Sequence, residues 1–157
     1  MEGMKDWMPI KNLLFVCTGN TCRSPLAEAL LREKAGEKVT VKSAGIHALP
    51  GAPLSQGSSA VLKQRGIKHH HFSQLVTPSL VEWADIILTM TAGHREWLVQ
   101  AFPEEENKIN TIKAFANKRE GLSDIADPIG GSVEVYERTA AELEECIEQI
   151  LVKIKAE

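Results

Sequence analysis

Five residues separate Cys17 from Arg23 in the run Cys17-Thr18-Gly19-Asn20-Thr21-Cys22-Arg23. A thiol and a guanidinium at this spacing suit chemistry on a phosphoryl group. A loop that wraps such a group must aim backbone N–H groups inward, and a helix that starts behind it adds a favourable dipole. Arg23 can grip two phosphoryl oxygens through its planar fork, which a lysine cannot do. The same amides and Arg23 are expected to lower the Cys17 pKa. The thiolate would then attack phosphorus in line and form a phosphocysteine. Ser24 can hydrogen-bond the sulfur and help it leave. Thr18, Gly19, Asn20, Thr21 and Cys22 complete the phosphate loop, and Gly19 is expected to take the backbone conformation closed to other residues. Arg23 and the amides supply the charge stabilisation, so this chemistry calls for no metal and no cofactor.

The leaving group also needs a proton. A carboxylate on a separate, turn-rich segment suits that role. Asp127-Pro128 lies in such a segment, Ile125 to Ser132, and Pro128 restricts Asp127 to extended backbone. Asp124 is the rival acid.

These side chains need a scaffold. Leu13 to Val16 is an apolar run expected to form a strand buried on both faces. Ser24-Pro25 reads as an N-cap and first helical residue, with Gly36 as the stop. Val39 to Val41 is a second short strand leading into Ser43-Ala44-Gly45. A loop rich in Pro, Gly and Ser follows, from about Ala48 to Gly57. The next helix carries Ala60 to Leu62. Thr77-Pro78 opens another through Trp83, Asp85 to Met90 is a third strand, and Thr91 caps a helix that ends before Pro103. Ile109 to Ile112 is a weak fourth strand. Val133, Tyr136, Ala140, Leu143, Ile147, Ile150 and Ile154 recur at helical steps over 132–155. Strands alternating with helices imply βαβ units, that is, an α/β fold built on a parallel sheet. In such sheets ligands sit beyond the carboxyl ends of strands, where the strand order reverses.

Composition narrows the field. A chain of 157 residues with 43% hydrophobic and 25% charged residues fits one soluble domain. A net charge of -3 and 5% aromatic residues give neither the basic field nor the stacking surface of a nucleic-acid binder. No apolar run reaches the roughly 20 residues that span a bilayer, and no signal peptide is present, so the reading is cytoplasmic. Residues 1–10 read as an N-terminal extension to a single domain over 11–157.

Val16 to Pro25 resembles the signature of the low-molecular-weight protein phosphatases. The likeness extends to Ala27-Glu28, Ser43-Ala44-Gly45, Ala84-Asp85 and Asp127-Pro128. It implies a three-layer α/β sandwich with a four-stranded parallel sheet, the phosphate loop following the first strand. It also implies that Cys17 is the nucleophile, Arg23 the phosphate clamp and Asp127 the general acid. Asn20 would brace the loop and Ser24 support the thiolate. Members acting on phosphotyrosine commonly carry a bulky aliphatic residue at the position of Thr21, and aromatic residues where this chain has Ile129 and Gly130. Thr21 with Gly130-Gly131-Ser132 is instead similar to the protein arginine phosphatase branch, although that branch often has Phe in place of Ile129. The implied partners are phosphorylated proteins, met by a monomer, with protein tyrosine phosphatase as the alternative.

Two other readings are weaker. An arsenate reductase would need later cysteines to relay a disulfide, and only Cys146 follows, on the apolar face of the last helix. A non-catalytic phosphopeptide-binding module would not need Cys17 or Asp127. Cys22 reads either as a small residue tolerated in the loop or as a redox partner that traps oxidised Cys17 as a disulfide. His69-His70-His71 reads as a solvated loop, because three consecutive residues do not converge on one ion. Trp97 reads as core or partly buried.

Overall fold

The computed structural model describes residues 10–117 and 124–155. Apart from Ile10, the N-terminal extension lies outside them. Strand β1 (Asn12–Cys17) runs through the middle of the molecule. It pairs in parallel with β2 (Thr40–Gly45) on one side and β3 (Ile86–Thr89) on the other. A short β4 (Ile109–Thr111) pairs with β3, giving the order β2-β1-β3-β4. The chain leaves β1 first towards β2 and later returns to its other side as β3. The crevice beyond the ends of β1 and β3 is therefore the switch point of the sheet.

Leu13 to Val16 have no exposed surface. Their side chains alternate between two cores, as strand geometry requires. Leu13 and Phe15 pack with residues of α1 (Arg23–Ala35), α2 (Gln56–Gln64) and α6 (Val133–Lys155). Leu14 and Val16 pack on the opposite face with Val81 of α3 (Pro78–Trp83) and Leu98 of α4 (Ala92–Ala101). Helices on both faces of a four-stranded parallel sheet make the α/β sandwich expected.

Local signals account for most boundaries. The Thr77 and Thr91 side chains accept from Leu80 N and His94 N, capping α3 and α4 as read. Asp85 fixes the start of β1, its Oδ2 accepting from the Lys11 and Asn12 amides at 2.8 Å each. The third and fourth strands are a residue or two shorter than expected, Ile112 starting a helix, and two other boundaries differ more. β2 runs on through Ser43-Ala44-Gly45, because each of these residues pairs with β1. Helix α1 begins at Arg23, not after Ser24, and its N-cap Cys22 contributes no side-chain bond. The Ser24 hydroxyl is turned instead towards Cys17. Pro25 is still tolerated, because first-turn amides have no partner within the helix. A short α5 (Ile112–Asn117) after β4 carried no clear sequence signal.

Candidate active site

The segment between β1 and α1 curls over the carboxyl end of the sheet. Cys17, the last residue of β1, is 2% exposed, and its Sγ lies 2.8 Å from Ser24 Oγ. Three sources lower the thiol pKa: the Ser24 hydroxyl, the Ser24 and Asn20 amides, and the Arg23 charge. Burial is the larger effect and pushes it above the ordinary value. The expectation of a lowered pKa thus holds for the loop's contributions and not for their balance with burial.

Asn20, not Gly19, makes the special turn. Its φ is 58°, while Gly19 lies outside the positive-φ region. A short amide side chain tolerates the left-handed region when local bonds support it. Asn20 is fully buried and bonded on every side. Its Nδ2 donates to Ser24 Oγ and to Ser43 Oγ at 2.9 Å each. Its Oδ1 accepts from Gln74 N at 2.9 Å, and its carbonyl accepts from His71 Nε2 at 2.6 Å. Gly45 lets the loop lie close against β2, since a Cβ there would fall 2.4 Å from Thr18 O.

Arg23 is buried under this loop and donates through Nη1 to Ile125 O at 2.9 Å. Ile125 N in turn donates to Met90 O at 2.9 Å, docking the segment around Ile125 onto the end of β3. Asp127 is thereby brought to the site. Its Oδ2 lies 3.6 Å from Arg23 Nη2, and its side chain remains 44% exposed. Asp124 Oδ1 is engaged elsewhere, accepting from Ala92 N at 2.9 Å at the start of α4.

The remaining loop residues face outward or sideways. Thr18 Oγ1 lies 2.8 Å from His94 Nε2. Burial and the nearby Arg23 charge push His94 down to about 4, so the ring is neutral near pH 7. Thr21 is half-buried, and its carbonyl accepts from Ser55 N. The Cys22 thiol donates to Ser55 Oγ at 3.3 Å and lies 3.4 Å from Tyr136 Oη. All three cysteines are free thiols. Sequence reasoning missed His94, Tyr136, Gln74 and the bracing role of Ser43. Trp97, read as core or partly buried, is 40% exposed and lies edge-on to His47, whose amide donates to Thr18 O.

A buried thiol at a strand end, an arginine beneath the same loop and a half-exposed carboxylate against that arginine can together perform nucleophilic attack and proton delivery at phosphorus. Comparison with known proteins agrees. A protein-arginine-phosphatase from Geobacillus stearothermophilus is 45% identical over 150 residues, covering 96% of this chain and 99% of that protein. One from Bacillus subtilis (strain 168) is 38% identical, covering 92% and 97%. The solved structure of YwlE arginine phosphatase from Geobacillus stearothermophilus superposes with a TM-score of 0.89 at 44% identity, covering 93% of this chain and 94% of that one. The family model described as low molecular weight phosphotyrosine protein phosphatase matches residues 12–157. The chain belongs to the low-molecular-weight phosphotyrosine protein phosphatase family.

Proposed function

We propose that this protein is a protein arginine phosphatase that hydrolyses phosphoarginine through a phosphocysteine on Cys17. The observation that carries the reading is the 45% identity, over nearly the whole of both chains, to a protein-arginine-phosphatase. Arg23 holds the phosphoryl oxygens and the loop amides of 18–24 bind the rest. Asp127 contacts the guanidinium and protonates the leaving nitrogen. Thr21 and Ile129 border the substrate side chain. Ile129 is 67% exposed and offers no ring for a phenyl group to stack on. On this reading phosphorylated proteins are met by a cytoplasmic monomer.

Parallel assays with phosphoarginine and phosphotyrosine proteins test it, using the parent and Thr21→Ile. The parent should prefer phosphoarginine and Thr21→Ile should shift towards phosphotyrosine. Faster parent turnover of phosphotyrosine would establish the tyrosine phosphatase instead.

Cys22 serves this site as a redox partner. Peroxide oxidises Cys17 to a sulfenic acid and is itself reduced to water; the Cys22 thiol attacks that sulfur, a second water leaves and a disulfide forms. Mass spectrometry after mild peroxide treatment should find the Cys17–Cys22 link. Sulfinic or sulfonic Cys17 in its place counts against the role.

A further inference from the structure

Beside the phosphate loop, where Ser43 and the Asn20 carbonyl brace it, one carboxylate and two imidazoles converge. One ligand atom from each of Glu28, His69 and His71 lies within 4.8 Å of the others. The expectation of a solvated histidine run fails for His69, whose side chain is 4% exposed. His70 alone of the three is fully at the surface. The His69 and His71 rings turn the same way and stack at 5.9 Å between centroids, 19° from coplanar. The first and third residues of the run therefore share a face, which consecutive residues could not.

His69 Nε2 is the telling atom. It is buried with no hydrogen-bond partner among the described residues, and 3.8 Å from Glu28 Oε1. Buried polar atoms of native proteins nearly always have a partner. Two ligands on a tetrahedral zinc ion sit about 3.4 Å apart. The gap between Nε2 and Oε1 thus closes onto such an ion with a shift of a few tenths of an ångström.

The surroundings orient the ligands. Glu28 Oε1 accepts from Ser43 Oγ at 2.6 Å, and Oε2 accepts from Arg32 Nη2 at 2.5 Å. His71 Nε2 donates to the Asn20 carbonyl. Bonds of this kind hold metal-binding side chains in place in known centres. Arg32 opposes a cation, but its side chain is 47% exposed and its charge is screened by water. Two imidazoles and one carboxylate form a set suited to zinc and its d-block neighbours, not to magnesium or calcium.

We propose that Glu28, His69 and His71 bind a divalent d-block cation of the zinc type, one per chain. The site shares Ser43 and the Asn20 carbonyl with the bracing of the phosphate loop, so an ion there bears on the loop.

The test uses tag-free full-length protein carrying Cys17→Ser and Cys22→Ser, so that no loop thiolate competes for the ion. Calorimetric titration with zinc should give one ion per chain. His69→Asn should weaken binding by about tenfold or more, and His70→Asn should leave it unchanged. Absence of binding up to millimolar zinc, or equal affinity in His69→Asn, overturns the site. Should His69→Asn fail to fold, imidazole nitrogen NMR on the parent decides the matter. One equivalent of zinc should move the His69 and His71 resonances. Movement of His47, His70 or His94 instead overturns the assignment.

Discussion

Arg23 Nη2 lies 3.6 Å from Asp127 Oδ2, although 104 positions of chain separate them (127 − 23). The buried guanidinium thus lies near the Cys17 thiol as well as the half-exposed carboxylate. Asp124, three residues earlier, points to the start of α4.

That division separates the two acids by experiment. Asp127→Asn should lower kcat by about 10²–10⁴-fold with the fold intact. Asp124→Ala should cost about 0.5–2 kcal/mol of stability through the lost bond to Ala92 N, with kcat largely kept. Rapid turnover measurements and urea unfolding of both variants check this. A larger kcat loss in Asp124→Ala would exchange the roles.

Asn20 combines a backbone and a side-chain function that two substitutions pull apart. Asn20→Gly keeps access to a φ of 58° but loses the bonds to Ser24, Ser43 and Gln74. Asn20→Ala loses both. Both should turn over substrate slowly, and Ala should be less stable than Gly by about 1 kcal/mol. Equal stabilities would show that the turn carries no strain for a side chain.

His94 makes stability fall in mild acid. Its folded pKa is pushed to about 4 from an ordinary 6.5, so the unfolded chain takes up the proton first. The stabilisation is complete above pH 6.5 and is lost as pH falls towards 4, by on the order of 2–3 kcal/mol. His69, also lowered by burial, adds in the same direction. Denaturant unfolding at pH 7 and pH 4.5 should show the loss, and His94→Gln should reduce it. An identical loss in His94→Gln would remove His94 from the account.

Much of this arrangement was legible in the chain itself. An apolar run fully buried on both faces has few alternatives to a central strand, and Leu13 to Val16 became one. Thr77 and Thr91 announced α3 and α4 because capping is a local bond. The turn at Asn20 was not legible. Its geometry is held by Ser43, His71 and Gln74, which lie 23, 51 and 54 positions away, and no local pattern carries that information. Gly19 drew the expectation only because glycine is the usual occupant of such backbone. The Ser24 hydroxyl could serve either the helix or the sulfur, and proximity to Cys17 decided it. The upward push on Cys17 likewise follows from burial, which only the packed molecule sets.

Cys17 ends a strand that is paired along both edges, and its loop is pressed onto β2 where Gly45 leaves room. The position of the Cys17 thiol is therefore a property of the core. Thr21 and Ile129, at the rim, carry little of that framework. If Thr21 and Ile129 border the substrate as proposed, substitutions there can alter substrate choice without moving the thiol.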